Sequence, residues 1–442
     1  MGAPWPSRSP CARSPSSAPR RLSFPSGRRS MLPARNRRVD EPLAVWLGDE
    51  IVGELRATGR RSARFYPARP RIRLAVGAPD DGSPWSPEFT RAWFENLLPE
   101  EEPRVRIAAR FGLRSDDTWG LLEQIGWECA GAVAVLPQGR SPQLGTYQAL
   151  TDAELWKRID ELPARPYDAD AAVRMSLGGG QSKLLLSLRG GRWHLPIDGA
   201  PSTHILKPEP VYHPGLALAE AWALRVAAAS TSAAEARVLI AEGHPPTLVV
   251  TRFDRQMETN GGVLRTHQED MCQVLGIPPD IKYAGHPAND RQPSYARFAA
   301  ALERGAFDPR VELVRLLEHV TVNLALGNTD AHAKNTSVFH DPSGGLRLTP
   351  IYDIAPTLAF IPQRHFGMSV AGRFLITEIT REHLVREART WGIPERVARG
   401  AIEQTLDAIR TTGVPAADDT YPGVPVPVRD AAVAQIERLA RA

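Results

Sequence analysis

Four side chains that could bind a metal ion or a phosphate, or transfer a proton, lie within six positions of one segment. The segment is GNTDAHAKNTSVF, at residues 327–339. Asp330 and Asn335 form the pattern D-x-x-x-x-N, a spacing that places a proton acceptor and a metal-binding amide around one γ-phosphate. The carboxylate would accept the proton of an attacking hydroxyl, and the amide oxygen would bind Mg²⁺. His332 would donate to the transferred phosphoryl group, and Lys334 completes the candidate catalytic set. The loop therefore predicts phosphoryl transfer from a nucleotide to a hydroxyl.

The residues after this loop predict a second metal ligand. The segment TSVFHDPSGGLRLTPIYDIAP has the pattern of a β-hairpin, whose second strand leads to Asp353 just beyond its apolar end. A carboxylate at this place is expected to bind Mg²⁺ in a phosphoryl-transfer site. The tripeptide here is Asp353-Ile354-Ala355, whereas Asp-Phe-Gly is the familiar form.

Two other interpretations of the loop remain open. Asp330, His332, His340 and Asp353 could ligate the metal of a hydrolase, because Asp and His two positions apart can share one ion. Alternatively, the loop is only a polar exit from a helix, in which Asn, Thr and Asp cap backbone groups. The hydrolase interpretation leaves Asn335 and the upstream glycines unexplained.

Phosphate-binding features lie upstream, in RMSLGGGQSKLLLSLRGGRWHLP at residues 174–196. The pattern predicts a strand, three glycines, a second strand and a turn at Gly190-Gly191. Glycines between strands would let backbone amides approach an anion closely. The next predicted strand, THILKPE, carries Lys207 as an isolated amine. Because only five of the 54 basic residues are Lys, a lysine here indicates a site that needs a compact ammonium.

The order of the next elements supports a nucleotide site. The segment at residues 215–230 has the composition of a helix with Glu220 as its only acid, and residues 246–255, PTLVVTRFDR, predict a strand. Strand, glycine loop, strand, lysine strand, acidic helix and further strand follow one another as in the small lobe of a protein kinase. There, the loop amides cover the phosphates and the strand lysine holds them.

Composition limits the class of protein. The formal charge is +4, but the first 40 residues contribute +8, which leaves the remainder at −4 and argues against a DNA-wrapping surface. These 40 residues are rich in Pro, Ser and Arg and predict disorder, with a targeting peptide or a true start at Met31 as alternatives. The chain contains no apolar run of 18 residues and only three separated Cys. We therefore expect a cytoplasmic protein without a membrane span or a cysteine-based zinc site.

An additional small α+β module of roughly 100 residues precedes the glycine loop. LAVWLGDEIVGEL, at residues 43–55, predicts a hairpin around Gly48-Asp49. Residues 86–113 have helical spacing that we expect to be broken at Pro99 and Pro103. CAGAVAVLPQG then predicts a strand that ends in a turn.

Taken together, these motifs resemble the HipA-like serine/threonine kinases, toxins of bacterial toxin–antitoxin operons. The resemblance covers residues 43 to about 410 and is most specific in HQEDMCQVLGIPPDIKY and GNTDAHAKNTSVF. It implies an α+β, two-lobed protein-kinase-like fold with a mixed N-terminal lobe and a mostly helical C-terminal lobe. Behind the basic segment 1–40, the expected divisions are an N-terminal subdomain (41–140), a nucleotide-binding part (141–260) and a helical catalytic lobe (261–442).

The resemblance also assigns roles to residues. Asp330 would be the catalytic base with His332 and Lys334 beside it, and Mg²⁺ and ATP would be the cofactors. Asn335 and Asp353 would bind the metal. The residues implied in ATP binding are Leu177, Gly178, Gly179, Gly180, Gln181, Lys183, Lys207, Thr251, Phe253 and Asp254. Ser176 matches a serine that relatives phosphorylate on themselves, which expels the loop.

Partners follow only from the resemblance. It implies a small helix-turn-helix antitoxin (HipB-like) that makes most of the DNA contacts, and a protein substrate for which an aminoacyl-tRNA synthetase is the candidate. Two positions depart from the family pattern, because Ser182 and Thr251 stand where acids are usual. A catalytically silent subunit of a repressor complex and a small-molecule phosphotransferase remain the alternative functions.

Overall fold

The computed structural model describes residues 41–59, 62–68, 73–79, 81–142, 145–162, 175–285, 291–341, 343–362 and 364–441. The predictions for residues 1–40, including the alternative start at Met31, lie outside the described residues. Of the helices in these ranges, none is both long and apolar enough to cross a membrane.

The first part of the chain is a four-stranded antiparallel sheet with three helices. Its elements are β1 (Leu43–Leu47), β2 (Glu50–Ala57), β3 (Ala63–Pro67), α1 (Pro87–Glu95), α2 (Glu101–Arg110), α3 (Thr118–Ile125) and β4 (Val133–Pro137). The strand order is β3-β2-β1-β4. Leu47 pairs with Glu50 across a turn in which Gly48 has a φ of 64°. The predicted hairpin is therefore confirmed.

The starts of α1 and α2 follow from their first residues. Ser86 caps α1 by accepting a hydrogen bond from the Phe89 amide at 3.1 Å, and proline occupies the first turn of this helix. The expected break at Pro99 is confirmed, because this residue lies between α1 and α2. The expected break at Pro103 is wrong: Pro103 lies in the first turn of α2, where no backbone N–H is required.

A six-stranded antiparallel sheet forms the next part of the chain. Its elements, with two helices, are β5 (Thr146–Ala149), α4 (Asp152–Glu161), β6 (Leu184–Arg189), β7 (Arg192–Ile197), β8 (His204–Pro208), α5 (Leu216–Ala227), β9 (Ala236–Leu239) and β10 (Thr247–Thr251). The strand order is β5-β7-β6-β8-β10-β9. The strands predicted around Lys207 and within residues 246–255, and the helix carrying Glu220, are confirmed.

The strand expected before the three glycines is wrong. The described residues there form only an isolated bridge, in which Met175 pairs with Glu128. A second isolated bridge joins Gly179 to Pro99. The backbone of this segment therefore pairs with the first part of the chain rather than with β6, which accounts for the absence of a hairpin at this place.

The remainder of the described chain is mostly helical, with three small sheets. Its elements are β11 (Arg255–Met257), β12 (Val263–Arg265), β13 (Gln268–Asp270), α6 (Met271–Leu275), α7 (Tyr295–Gly305), α8 (Pro309–Ala325), β14 (Ser337–His340), β15 (Leu346–Leu348), β16 (His365–Val370), β17 (Arg373–Leu375), α9 (Arg381–Thr390), α10 (Glu395–Ala408), α11 (Val414–Thr420) and α12 (Val426–Arg441). A π-helical turn at Ile409–Gly413 joins α10 to α11.

The largest buried apolar cluster lies in this helical part and extends into α5. Trp222 of α5, Phe298 of α7 and Leu316 of α8 are all fully buried in it. Burying residues of this size removes enough apolar surface from water to fix α8, which leads directly into the loop that carries Asp330. The predicted α+β class, with a mixed N-terminal part and a mostly helical C-terminal part, is confirmed.

Candidate functional site

One cavity of 390 Å³ brings together the residues predicted to bind nucleotide and metal and to catalyse transfer. The predicted residues that line it are Leu177, Gly178, Gly179, Gly180, Gln181, Lys183, Lys207, Thr251, Phe253, Asp254, Asp330, His332, Lys334, Asn335 and Asp353. These residues come from five separate stretches of sequence, so their convergence is a property of the fold. Of the residues to which the resemblance assigns a role, Ser176 is the one that is not part of the lining.

The loop at residues 327–335, called the catalytic loop from its predicted role, leaves α8 through a tight turn that Asn328 stabilises. Gly327 adopts a φ of 70° immediately after the helix. The Asn328 amide donates to Asn323 Oδ1 at 2.7 Å and to the Asp353 carbonyl at 3.2 Å, and its own Oδ1 accepts from the Asp330 backbone N–H at 3.2 Å. Asn328 thus couples Asp330, the predicted base, to Asp353, a predicted metal ligand, a contact that sequence reasoning missed.

Asp330 and Asn335 are held close to each other. The Asn335 side-chain nitrogen donates to the Asp330 carbonyl at 3.0 Å, so the amide oxygen is the atom that could bind a cation. One carboxylate oxygen of Asp330, Oδ1, accepts a 2.6 Å hydrogen bond from the Tyr283 hydroxyl. The spacing read from the sequence therefore corresponds to one folded unit.

His332 is buried beside Asp330. Its ring packs edge-on against Tyr283, with 5.1 Å between ring centroids. Burial lowers the pKa of His332, although the Asp330 carboxylate acts to raise it. Nδ1 has no hydrogen-bond partner among the described residues. A buried polar atom without a partner is costly, so its position at the cleft is consistent with a ligand contact.

The sequence predicts Lys334 as a catalytic residue, but its ammonium is bound to other residues of the protein. Its ammonium donates to Asp270 Oδ2 at 2.6 Å, to Asn96 Oδ1 at 2.8 Å and to the Asn96 carbonyl at 3.0 Å. Burial opposes its charge, but Asp270 and Glu100 outweigh this and raise the pKa of Lys334. Its three ammonium protons are therefore engaged in joining the catalytic loop to α1 and to β13.

Lys207 lies between two carboxylates. It donates to Glu220 Oε1 of α5 at 2.8 Å and also binds Asp353 Oδ1. Although burial acts to raise it, the Lys207 ammonium holds the pKa of Asp353 well below its usual range. Asp353 has a φ of 57°, a left-handed conformation uncommon for residues other than glycine. Glu220 was recognised only as the sole acid of its helix.

The glycine-rich loop is docked on the segment between α1 and α2. The Gly179 backbone N–H donates to Glu100 Oε1 at 3.2 Å, and the Glu100 N–H donates to the Gly179 carbonyl at 3.2 Å. Gly179 has a φ of 108°, which a residue with a side chain rarely adopts. Lys183 donates to the Gly178 carbonyl, and burial together with the Lys207 charge lowers the pKa of Lys183 to about 8.

Ser176 is fully buried at the base of this loop. Its hydroxyl donates to the Leu97 carbonyl at 2.7 Å, and its backbone N–H donates to the Glu128 carbonyl at 2.8 Å. A phosphate ester on Oγ would remove the proton that the hydroxyl donates to Leu97, and the fully buried position leaves no room for the group. The buried serine is therefore compatible with modification only when the loop leaves its docked position.

Phe253 and Asp254, two of the residues implied in ATP binding, have unequal environments. Phe253 packs against Tyr352 and Phe339, with centroids 5.4 and 5.7 Å away. Asp254 is buried and bound by Arg252 at 2.8 Å and by the Gly131 N–H at 2.8 Å. Although burial acts to raise it, the arginines hold the pKa of Asp254 well below its usual range. Asp254 thus belongs to an ion network that anchors the cleft wall.

The ligand set of the alternative hydrolase is not assembled. In the described ranges, the one group of three His, Cys, Asp or Glu residues with ligand atoms within 4.8 Å of one another is His267, Glu269 and His340. His340 therefore lies with these residues rather than with Asp330. Glu269 already accepts hydrogen bonds from His340 Nε2 at 2.7 Å and from Trp93 Nε1 at 2.6 Å, so its carboxylate is engaged in a buried hydrogen-bond network.

Two segments of the chain match family models of known proteins. Residues 43–136 match the model described as the HipA N-terminal domain, and residues 175–412 match the one described as the HipA-like C-terminal domain. The protein named "Putative kinase Y4mE" of Sinorhizobium fredii is 32% identical over 393 residues, which are 86% of this chain and 92% of that protein. The "Serine/threonine-protein kinase toxin HipA" of Shewanella oneidensis is 30% identical over 325 residues, 71% of this chain and 74% of that protein.

A solved structure shares the fold. The Shewanella oneidensis toxin HipA, in a complex with HipB and operator DNA, superposes with a TM-score of 0.76 at 24% identity. The match covers 90% of this chain and 96% of the other.

Proposed function

The chain belongs to the HipA-like family, and we propose that it is an Mg-ATP-dependent serine/threonine protein kinase, the toxin of a bacterial toxin–antitoxin pair. The observation that carries this proposal is the single cleft in which Asp330, Asn335 and Asp353 face Lys207 and the glycine-rich loop. Carboxylate, amide, ammonium and backbone N–H groups are the set that phosphoryl transfer requires.

The cleft is suited to a nucleoside triphosphate. Lys207 and Lys183 line the cleft together with Gly178, Gly179 and Gly180, and two ammonium groups beside a glycine-rich backbone favour a polyphosphate there. The ion pair between Lys207 and Glu220 fixes the lysine, as it does in protein kinases. Phe253 supplies an apolar surface for a purine.

The donors of the proposed metal site fit Mg²⁺. Asp353 offers a carboxylate and Asn335 an amide oxygen, and Mg²⁺ prefers such hard oxygen ligands. The left-handed backbone of Asp353 and the hydrogen bond from Asn335 to the Asp330 carbonyl hold both residues in the cleft. Mg²⁺ bound there would neutralise charge on the transferred phosphoryl group.

Asp330 would act as the general base. It takes the proton of a serine or threonine hydroxyl while that oxygen bonds to the γ-phosphorus, the bridging P–O bond breaks and ADP leaves. Asp330 also lines a second cavity of 1020 Å³, bounded by the hairpin β16–β17 and by Phe360. A volume of this size next to the base leaves room for a polypeptide acceptor.

The toxin role implies regulation by a partner and by the chain itself. We infer that a HipB-like helix-turn-helix antitoxin binds this protein, because the similar HipA was solved in a complex with HipB and operator DNA. We expect this partner to make most of the DNA contacts. The action is expected in the cytoplasm, on a protein substrate for which an aminoacyl-tRNA synthetase is the candidate, with growth arrest and persistence as the outcome. Autophosphorylation of Ser176 would release the glycine loop and limit activity.

Labelling with γ-³²P ATP in a cell lysate tests the proposed function. We expect the wild-type protein to label a protein band, and the Asp330→Asn variant to label none. Label only in metabolites would favour a small-molecule phosphotransferase. Absence of any label, with the antitoxin and operator still bound, would favour a silent repressor subunit.

A further inference from the structure

Tyr283 lies at the junction of the two cavities. It lines the 390 Å³ cleft and also the 1020 Å³ cavity, as Asp330 does. Its side chain is 45% exposed, yet its hydroxyl makes a 2.6 Å hydrogen bond to Asp330 Oδ1. An exposed tyrosine needs no such partner for stability, so this contact with the base calls for a functional explanation.

The backbone around Tyr283 is fixed on both sides. The Lys282 carbonyl accepts from the Ala333 N–H of the catalytic loop at 3.1 Å, and the Ala284 N–H donates to the Gly367 carbonyl of β16 at 3.0 Å. The Lys282 ammonium binds Glu100 Oε2 at 2.6 Å. These contacts fix the position of the phenol relative to Asp330 without a bound ligand.

Asp330 needs such a partner because an aspartate carboxylate rotates easily about its last torsion. Tyr283 binds Oδ1, whereas Oδ2 has no donor among the described residues. Burial first, and then the Asp330 charge, raise the pKa of Tyr283 well above its usual value. The phenol therefore remains a hydrogen-bond donor throughout the physiological pH range.

We propose that Tyr283 is a positioning residue for the base: it binds Oδ1 of Asp330 and leaves Oδ2 to accept the proton of the acceptor hydroxyl. This inference rests on the proposed function, since it assigns a role within the same transfer step. A general base that is itself oriented by a third group is a recurrent arrangement in nucleophilic catalysis. Packing of the Tyr283 ring against the His332 ring orients the hydroxyl towards Asp330.

The test compares Tyr283→Phe with Tyr421→Phe in the full-length protein. Phe retains the ring at residue 283 and removes only the hydroxyl. We expect kcat for phosphoryl transfer to fall about 10- to 100-fold, because a hydrogen bond to a charged group is lost, while the KM for ATP stays unchanged. Tyr421 bonds a backbone carbonyl, that of Ala236, at 2.8 Å, so its variant controls for the same chemical change and should retain the wild-type kcat.

Separate measurements of kcat and of stability distinguish positioning from a purely structural effect. Loss of the hydroxyl should lower kcat while the KM for ATP and the urea midpoint of Tyr283→Phe stay at their wild-type values, whereas a structural role would lower the urea midpoint as well. An unchanged kcat would overturn the inference. A higher rate with a lower KM for the acceptor would also overturn it, because Tyr283 would then be blocking the base. A wild-type protein without any transfer would instead refute the proposed function.

Discussion

Replacing Lys334 by Met should destabilise the fold strongly. Met retains much of the side-chain volume but removes the ammonium that binds Asp270 at 2.6 Å and Asn96 at 2.8 and 3.0 Å. Asp270 would remain buried without its cation. Removing one partner of a buried ion pair costs about 3–5 kcal/mol. Because domains unfold with only about 5–15 kcal/mol, this loss is a large fraction of the total.

Urea unfolding followed by tryptophan fluorescence measures this change. Asp270→Asn serves as the second variant, since its amide oxygen can still cap α6 by accepting from the Gln273 N–H, as Asp270 Oδ1 does at 2.9 Å. The double variant should lose less than the two single variants together, with a coupling of about 1–3 kcal/mol. Lys157→Met is the exposed control and should stay within about 0.5 kcal/mol of the wild type.

The opposite result would restore a catalytic role to Lys334. If Lys334→Met unfolded at the wild-type urea concentration but had lost phosphoryl transfer, the ammonium would act on the reaction rather than on the fold. The prediction from the sequence that Lys334 belongs to the catalytic set would then be correct.

Three further outcomes test the site. Asp353→Ala should abolish Mg²⁺-dependent ATP binding in calorimetry, because a metal ligand is lost; unchanged affinity would mean that the metal lies elsewhere. Lys207→Arg should lower the transfer rate about tenfold or more, because a planar fork replaces a compact ammonium between two carboxylates, and a wild-type rate would contradict this role. During incubation with Mg-ATP, phosphate should appear on Ser176 as ATP binding falls. Full activity of a protein stoichiometrically phosphorylated there would contradict self-limitation.

The residues of the cleft could be predicted because they lie in local patterns. Asp330 and Asn335 are close in sequence, and the glycines and Lys207 are recognisable in short segments whose strands and helix follow from apolar periodicity. The order of those segments along the chain was enough to predict that they line one cleft.

The partners of these residues could not be predicted, because they are distant in sequence and carry no periodic signal. Tyr283 is 47 positions from Asp330, and Lys334 is 64 positions from Asp270. The same limitation explains the incorrect strand before the glycines. Ser176 bonds a carbonyl 79 positions earlier, so this segment is held by tertiary contacts instead of a hairpin.

Phosphoryl transfer by purified Asp330→Asn is the most direct test of the central claim that this carboxylate is the base of a protein kinase. Asn preserves the size of the side chain and can still accept the Tyr283 hydrogen bond, but it cannot take a proton. With γ-³²P ATP and Mg²⁺, we predict that the wild-type protein labels itself or a protein acceptor, whereas the variant binds ATP with wild-type affinity and transfers no label. Transfer by the variant at the wild-type rate would contradict the account.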